Sequence, residues 1–424
     1  MAVSNVRSRW YMQLHWRIAA AMLLGVIAGL VGGEPLADSV GWLGTLFIKL
    51  LKMIIVPLVL TSIVSGVASV GAGASLGRLF GKTLGYYILT SFLAVMVGLL
   101  MVNTIQPGVG ADLVSSETRD MPDLTVIQSP VDLILDIVPD NFFAAAADTE
   151  MLAIIFFSIV LGISISTLKQ NHREPLLSFF ESGFAAMMKL TAGIIHIFAP
   201  IGVFALIAKL MGTTGLGAFK ALGLYALMLV CGLSLHLFIT LPLVLRVLGG
   251  INPITHFRNM VQPIVMAFST SSSGATLPVT IETVENKVGV SNRVTSFVLP
   301  MGATVNMDGT ALYECAGVLF IAQVMGVQLG FEQQLVVVFT ALLASIGAAA
   351  VPSAGLVVIF IVLQAVNLTG PQVELIVGAM LAVDRPLDMY RTVVNVFSDS
   401  CGAAIIARSE GETGVDVEVR NAAA

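Results

Sequence analysis

The chain has 424 residues, of which 57% are hydrophobic and only 11% are charged. A soluble globular protein carries about 25% charged residues, so this composition excludes a soluble enzyme and a disordered chain. The net charge of −5 gives no electrostatic case for binding nucleic acid, and the three cysteines lack the spacing of a zinc site or a disulfide framework. The class that remains is an all-α polytopic membrane protein.

Ten apolar segments follow one another along the chain, and most are long enough for a helix that crosses the bilayer core, which takes about 20 residues. They lie near residues 17–33, 41–70, 83–105, 145–168, 183–211, 217–249, 257–285, 294–327, 333–367 and 372–407. We interpret the first as an uncleaved helix, because no convincing signal-peptide cleavage site follows it. Polar residues, glycine and proline interrupt the last four.

The loops between these segments alternate in charge. Basic residues such as Arg78 and Lys82 lie in every second loop, whereas the intervening loops are acidic, as at Asp112. Lys209 and Lys220 are exceptions to the alternation. Since loops rich in lysine and arginine stay in the cytoplasm, the pattern predicts that both termini are cytoplasmic.

Two interrupted segments, 257–285 and 333–367, carry a Ser/Thr-rich or Gly/Pro-containing turn within an apolar run, at 269–276 and 345–355. Non-helical backbone at membrane depth is tolerated only where protein or a water-filled cavity surrounds it. A single helix N-cap needs one hydroxyl group, whereas five consecutive residues of the first turn, 269–273, each carry one. The pair therefore predicts two helix–turn–helix hairpins, a pattern that points to the substrate site of a transporter.

The final helix carries a polar stripe. Asp384, Asp388, Arg391, Asn395 and Asp399 are spaced by 4, 3, 4 and 4 positions, which places them within an arc of about 80° on a helix. One charged side chain at the bilayer centre costs about 2.5–3.5 kcal/mol, so an ion-pair ladder that only stabilises the bundle is the weaker explanation. The stripe predicts a binding site for an anionic or zwitterionic solute and for cations.

The chemistry of this stripe suggests three roles. Arg391 can bind a carboxylate through two parallel hydrogen bonds, which a lysine cannot do. Asp388 can accept hydrogen bonds from an ammonium group, and Asp399 can bind a small hard cation, which prefers oxygen ligands.

A second polar interruption lies in the preceding helix, at Asn306, Asp308, Gly309 and Thr310. An unwound helix exposes carbonyl groups that bind cations, and the new helix N-terminus favours an anion. One turn later, Glu314 lies in an apolar setting, where burial of a charged carboxylate is costly. It is either a proton carrier or a permanently protonated, hydrogen-bonded residue, and the residues alone leave both readings open.

Four motifs in the same order resemble those of the glutamate transporter family, the dicarboxylate/amino acid:cation symporters. They are Asn306-Met307-Asp308-Gly309-Thr310, the serine-rich tip, the Gly-Ala-Ala-Ala-Val-Pro tip and the run from Asp388 to Asn395. The resemblance covers essentially the whole chain. It implies eight transmembrane helices plus two re-entrant hairpins, built as inverted repeats in a homotrimer with an elevator mechanism.

The resemblance also implies a division into domains. The scaffold and trimerisation domain would comprise 1–80 and 128–215, and the moving transport domain 81–127 and 216–410. A polar C-terminal tail would follow at 411–424. Helices 3, 6, 7 and 8 and both hairpins would belong to the transport domain.

By resemblance, Arg391 binds the side-chain carboxylate of the substrate and Asp388 accepts its ammonium group. Thr392 and Asn395 would contact the α-carboxylate and the amine. The other substrate contacts implied by the resemblance are Ser273, Thr310, Val351 and Gly355.

The resemblance further implies three sets of sodium ligands. The first set is Gly302, Asn306 and Asn395 with the Asp399 carboxylate. The second set is Thr304, Ser345, Ile346 and Ala348, through their carbonyl groups. The third set is Tyr87, Thr90, Ser91, Asn306 and Asp308.

The resemblance leads us to expect a symporter for aspartate or glutamate in the cell inner (plasma) membrane, coupled to sodium ions and to a proton on Glu314. It would need no organic cofactor and would not be an enzyme. The alternatives are a proton-coupled carrier of C4-dicarboxylates from the same family and an anion channel as a side activity. Asp388 argues against the first alternative, because a dicarboxylate has no ammonium group to neutralise it.

Overall fold

A computed structural model describes residues 14–68, 74–111, 113, 138–148, 150–214, 218–346 and 355–416. Throughout these ranges the regular secondary structure is helical. In chain order the helices are α1 (Leu14–Ala68), α2 (Ala74–Ile105), α3 (Phe142–Asp148), α4 (Met151–Ser166), α5 (Gln170–Thr214), α6 (Ala218–Leu235), α7 (Leu241–Gly249), α8 (Pro253–Asn259), α9 (Val261–Thr270), α10 (Ser273–Thr283), α11 (Asn292–Val305), α12 (Asp308–Met325), α13 (Phe331–Ile346), α14 (Gly355–Ala365) and α15 (Pro371–Ser409). Two π turns, His236–Thr240 and Val284–Val288, join α6 to α7 and follow α10.

Helix α1 contains the first predicted segment, 17–33, and residues 41–68 of the second, whose last two residues lie outside the described ranges. Its backbone leaves the helical conformation at Gly33, where φ is 56° and ψ is −155°. Glycine adopts positive φ at little cost, and Pro35 has no N–H group with which to continue the hydrogen-bonding pattern. Two helices are therefore joined end to end, as the sequence predicts.

Helices α1, α4 and α5 pack on one another. A Cβ atom at Gly29 would lie 2.5 Å from the carbonyl oxygen of Ala208, and one at Gly212 would lie 2.8 Å from that of Gly33. Small residues let membrane helices approach this closely. Helix α5 is longer than its predicted apolar segment because hydropathy marks only its membrane part, and its 45 residues extend about 68 Å.

The segment 257–285 forms α8, α9 and α10. Its serine-rich turn lies between α9 and α10, where Ser271 has a left-handed backbone with φ 51° and ψ 35°. The next residue, Ser272, is extended, and its hydroxyl accepts a hydrogen bond from the N–H of Ala275 at 3.1 Å. The turn is therefore a helix start with a side-chain cap.

The segment 294–327 is interrupted where the sequence predicts. Helix α11 ends at Val305 and α12 begins at Asp308, with Asn306 and Met307 in non-helical conformations. Helices α13 and α14 form the segment 333–367, but most of its predicted turn lies outside the described residues.

Four helical stretches are long and apolar enough to cross a membrane, judged within the described ranges by length and composition. They are Trp16–Ala68, Arg78–Ile105, Gln170–Thr213 and Lys220–Gly249. The later helices are shorter, interrupted or rich in buried polar groups.

Helix α12 lies at the centre of the second half of the molecule. It packs against α2, α6, α13, α14 and α15, and all of its residues except Gln323 are buried. Helix α15 also packs against α9 and α11. The polar groups of α12 and α15 are consequently enclosed by other helices.

Acidic Glu410, just after α15, lies among basic side chains at one end of the molecule. Its carboxylate forms ion pairs with Arg78 at 3.0 Å, Lys82 at 2.5 Å and Arg293 at 2.9 Å. We refer to this region, defined by these three basic residues, as the basic end.

Candidate functional site

Polar side chains from α2, α12 and α15 meet in the interior of the second half of the molecule. The exposed fractions of Asn306, Asp308, Glu314, Arg391 and Asp399 lie between 0% and 3%. Because isolated buried charges are costly, the partners of each group decide what the site can bind.

Arg391 is held on one side by two carboxylates. Its Nη2 donates to Asp384 Oδ1 at 3.0 Å and to Asp388 Oδ1 at 2.8 Å. The guanidinium carbon lies 3.8 Å from the ring centroid of Tyr313, a cation–π contact that fixes the plane of the group.

The other two nitrogen atoms of the guanidinium group, Nε and Nη1, are buried. Neither Nε nor Nη1 of Arg391 has a hydrogen-bond partner among the described residues. The N–H groups of Nε and Nη1 point to different edges of the guanidinium group, because Cδ lies between them, so each can donate to a separate ligand oxygen. Binding of a substrate carboxylate by Arg391 stays a prediction.

Helix α14 begins beside the Nη1 atom of Arg391. A Cβ atom at Gly355 would lie 2.7 Å from Arg391 Nη1 and 3.4 Å from Tyr313 Cδ1. Any larger residue would therefore press on the guanidinium group. The N-terminus of a helix also favours a negative charge.

The remaining predicted substrate residues are only partly brought together. Asn395 accepts a hydrogen bond from the Gly309 N–H at 2.8 Å and donates to Thr310 Oγ1 at 3.4 Å. The hydroxyl of Thr392 donates to the Asp388 carbonyl at 2.8 Å. Ser273 donates to the Ala303 carbonyl at 2.8 Å on the neighbouring helix α11. Val351 lies outside the described residues.

Asp308 is the centre of a buried network. Its carboxylate accepts hydrogen bonds from Ser91 Oγ at 2.7 Å and Ser398 Oγ at 2.6 Å. His236 Nε2 lies 3.2 Å from Oδ2 of the same carboxylate, and since a carboxylate only accepts, we assign the proton to Nε2. Helices α2, α12 and α15 and the first π turn thus meet at one side chain.

The third sodium set is brought together except for one hydroxyl. Thr90 Oγ1 donates to Asn306 Oδ1 at 3.3 Å, next to the Ser91–Asp308 contact. The hydroxyl of Tyr87 donates instead to the Val298 carbonyl at 2.6 Å.

Three residues of the first sodium set are in direct contact. Asn306 Nδ2 donates to Asp399 Oδ1 at 2.9 Å. A Cβ atom at Gly302 would lie 2.5 Å from the same Asp399 oxygen, so glycine is required there. The Gly302 carbonyl accepts the Asn306 N–H at 2.9 Å, while Asn395 is directed at α12.

The second sodium set consists of main-chain carbonyl groups and stays a prediction. The side chains of two of its residues bond within their own helices: Thr304 donates to the Met301 carbonyl and Ser345 to the Leu342 carbonyl. Ile346 is the last residue of α13. Ala348 lies outside the described residues.

Glu314 stands apart from these networks. Both of its carboxylate oxygens are buried and have no hydrogen-bond partner among the described residues. Proton transfer through Glu314 stays a prediction.

Three residues of this site were not predicted from the sequence: His236, Ser398 and Tyr313. His236 is a titratable side chain within the apolar segment 217–249, which is the same signal that singled out Glu314. Ser398 borders the stripe of α15. No sequence signal distinguishes Tyr313, whose role depends on how α12 and α15 pack.

Residues 14–409 match the sodium:dicarboxylate symporter family. The chain belongs to this family. The resemblance drawn from the four motifs is therefore confirmed across nearly the whole chain. The family is one of transporters, in agreement with an integral membrane protein.

Several relatives are similar over most of their length. A proton/sodium-glutamate symport protein of Geobacillus stearothermophilus is 35% identical over 407 residues, which cover 94% of this chain and 95% of that protein. A proton/glutamate-aspartate symporter of Escherichia coli is 35% identical over 413 residues, covering 94% and 93%. Excitatory amino acid transporter 3 of Mus musculus is 34% identical over an alignment of 459 residues, covering 94% and 86%.

Proposed function

We propose that the protein is a secondary active symporter that takes up aspartate or glutamate together with sodium ions and a proton. The observation that carries the proposal is the buried guanidinium group of Arg391, whose Nε and Nη1 donors lack partners among the described residues. Such a group is costly with a neutral substrate and stabilising with a carboxylate. The names of the relatives support the same substrate class.

Substrate recognition would follow from the geometry around Arg391. The side-chain carboxylate of the substrate binds Nη1, while Asp384 and Asp388 hold Nη2 in place. The ammonium group binds the Asp388 carboxylate. Thr310, Thr392, Asn395, Ser273, Val351 and Gly355 complete the site as predicted.

Sodium ions would be cargo rather than a resident cofactor. The contacts of Asp308 and Asp399 with hydroxyl and amide groups support the third and first sodium sets, because hard cations prefer oxygen ligands. We keep the second set on the basis of the resemblance. No organic cofactor is required for this transport.

The proton would travel on Glu314. Its carboxyl group is buried on α12 beside Tyr313, which contacts Arg391. A neutral glutamic acid tolerates this setting better than a charged one. Substrate, sodium ions and proton would then be carried on adjacent positions of α12 and α15.

The architecture we propose has eight transmembrane helices and two re-entrant hairpins, α9–α10 and α13–α14, arranged as inverted repeats in a homotrimer. Scaffold and transport domains would follow the boundaries given above, with elevator movement of the transport domain. The mutual packing of α1, α4 and α5, apart from the polar site, supports this division.

We place the protein in the cell inner (plasma) membrane with both termini in the cytoplasm. The ion pairs at the basic end support this orientation, since Glu410 follows the last helix and pairs with basic residues near the start of α2 and of α11.

One observation favours a second candidate, a carrier of C4-dicarboxylates. Asp388 is paired with Arg385 at 3.3 Å as well as with Arg391 at 2.8 Å. The carboxylate is thus partly neutralised without an ammonium group, which weakens the argument against a dicarboxylate substrate.

Competition separates the two candidates. We would reconstitute the full chain in liposomes and measure uptake of radiolabelled aspartate under an inward sodium gradient, with unlabelled succinate or glutamate as competitor. The proposal predicts strong inhibition by glutamate and weak inhibition by succinate. Equal inhibition by succinate would favour the dicarboxylate carrier.

A further inference from the structure

An apolar groove runs along the outer face of α9. It encloses about 520 Å³ between α9, the first π turn and α15. Val261, Val265 and Phe268 of α9 lie at positions i, i+4 and i+7, and all three are exposed. The exposed side chain of Phe238 and the partly buried side chain of Tyr390 line the opposite side of the groove.

One charged residue, Arg258, lines this groove at its start, and none of its described lining residues is acidic. Arg258 forms no hydrogen bond or ion pair with a described residue, and it is exposed. The next residue, Asn259, donates to Asp416 at 2.8 Å, six positions after Glu410. The mouth of the groove therefore lies at the basic end, where negatively charged lipid headgroups are attracted.

The length of the groove matches one leaflet of a bilayer. Helix α9 has 10 residues and so rises about 15 Å. The hydrocarbon core is about 30 Å thick, so one acyl chain occupies about 15 Å. The groove leads from the charged mouth at Arg258 to Ser269, near the serine-rich turn.

We propose that this groove binds an anionic glycerophospholipid of the leaflet at the basic end. The phosphate-bearing headgroup pairs with Arg258, and one acyl chain lies along Val261, Val265 and Phe268. Net negative headgroups are favoured over zwitterionic ones because the described lining holds a cation and no carboxylate that would pair with a choline or ethanolamine group.

The bound chain would touch the helix that carries the candidate site. Tyr390 lines the groove, its hydroxyl lies 2.8 Å from Ser234 Oγ, and it directly precedes Arg391. The lipid site is defined by its own residues, so the proposal stands independently of which substrate is transported.

Fluorescence quenching by brominated lipids tests the proposal on the full chain. In a background with Trp10, Trp16 and Trp42 replaced by phenylalanine, we would introduce F268W as a reporter in the groove. The matched control reporter is F339W, an exposed phenylalanine of α13 outside the groove. Both substitutions replace one aromatic side chain by another.

The reporters are compared in vesicles that contain mixtures of dibrominated phosphatidylglycerol or dibrominated phosphatidylcholine. For F268W we expect a relative binding constant that favours phosphatidylglycerol by about fivefold, the effect of one cation near an anionic headgroup. F339W should show a ratio near one. R258Q should reduce the F268W ratio to that of F339W, whereas R246Q, which changes an exposed arginine outside the groove, should leave it unchanged.

Three results would overturn the proposal. One is an equal lipid ratio for the two reporters, and another is an F268W ratio that survives R258Q. The third is an F268W reporter that neither lipid quenches, which would mean that protein covers the groove, either another part of this chain or a second copy. Thermal unfolding of each variant shows that the fold is retained.

Discussion

The two halves of the molecule use burial in opposite ways. Where α1 and α5 meet, glycines bring two apolar helices into close contact, as at Gly29 against Ala208. Where α12 and α15 meet, the interior instead holds a guanidinium group, carboxylates, an amide and hydroxyls. Close packing of apolar helices is sufficient for stability, so the cost of the polar interior points to binding.

Changing Arg391 tests the polar half most strongly. R391K keeps the positive charge but lacks the pair of donors at Nε and Nη1. We expect the affinity for aspartate to fall by about 100-fold, since losing charge-assisted hydrogen bonds costs roughly 3 kcal/mol. Isothermal titration in detergent measures the change.

The control for this variant is R246K, which alters an exposed arginine far along the chain from the site and should leave affinity unchanged. An affinity of R391K within threefold of the unmodified protein would show that the guanidinium group does not bind the substrate.

The second test concerns how Asp308 is positioned. H236L removes the donor at 3.2 Å from its carboxylate, whereas H236Q can place an amide N–H at nearly the same point. We expect H236L to raise the sodium concentration for half-maximal uptake about tenfold, in line with a hydrogen bond to a charged group. H236Q should stay within threefold, and equal effects of the two variants would reduce His236 to a packing role.

Arg391 and His236 differ in how far the sequence alone predicts their roles. The stripe of Asp384, Asp388 and Arg391 follows from helix periodicity, and the break at Asn306 follows from polar residues within an apolar run. The contact between His236 and Asp308 joins residues 72 positions apart, and periodicity within one helix carries no information about it.

For the fold as well, the sequence predicts features within one segment better than contacts between segments. The apolar segments predicted where the helices lie. Glycine and proline predicted the break at Gly33, and polar residues predicted the interruption at Asn306. The length of α5 was underestimated because its first turns are polar. The packing of α1 on α5 depends on close contacts between residues far apart in the chain, such as Gly29 and Ala208, and periodicity within one helix does not reveal them.

The apolar half should respond differently to mutation. G29A places a methyl group 2.5 Å from the Ala208 carbonyl oxygen, and overpacking of this kind costs about 1–3 kcal/mol. We expect a lower Tm in a thermal unfolding assay, with an aspartate affinity within twofold of the unmodified protein. A large loss of affinity at unchanged Tm would contradict the contrast between the halves.

The smallest expected effect is at the basic end. The hydrogen bond from Arg78, followed by that from Lys82, lowers the pKa of Glu410 to about 2. A lowered folded-state pKa contributes stability above the ordinary pKa of a glutamate, and this contribution is lost as the pH falls towards 2.

E410Q should therefore lower Tm by about 2 °C at pH 7, because ion pairs with exposed partners contribute little. The difference from the unmodified protein should shrink below about pH 4.5. A difference that stays constant between pH 7 and about pH 3 would show that Glu410 acts through packing alone.

The central claim is that transport of an acidic amino acid is driven by sodium ions, with Glu314 as the proton carrier. The most direct measurement is uptake of radiolabelled aspartate into liposomes under a sodium gradient, a proton gradient or both, repeated with E314Q. The account predicts that uptake requires sodium, and that E314Q removes its pH dependence while exchange of internal for external aspartate persists. Uptake driven by a proton gradient in the absence of sodium would contradict it, and Asp308 and Asp399 would then have to be proton-binding groups.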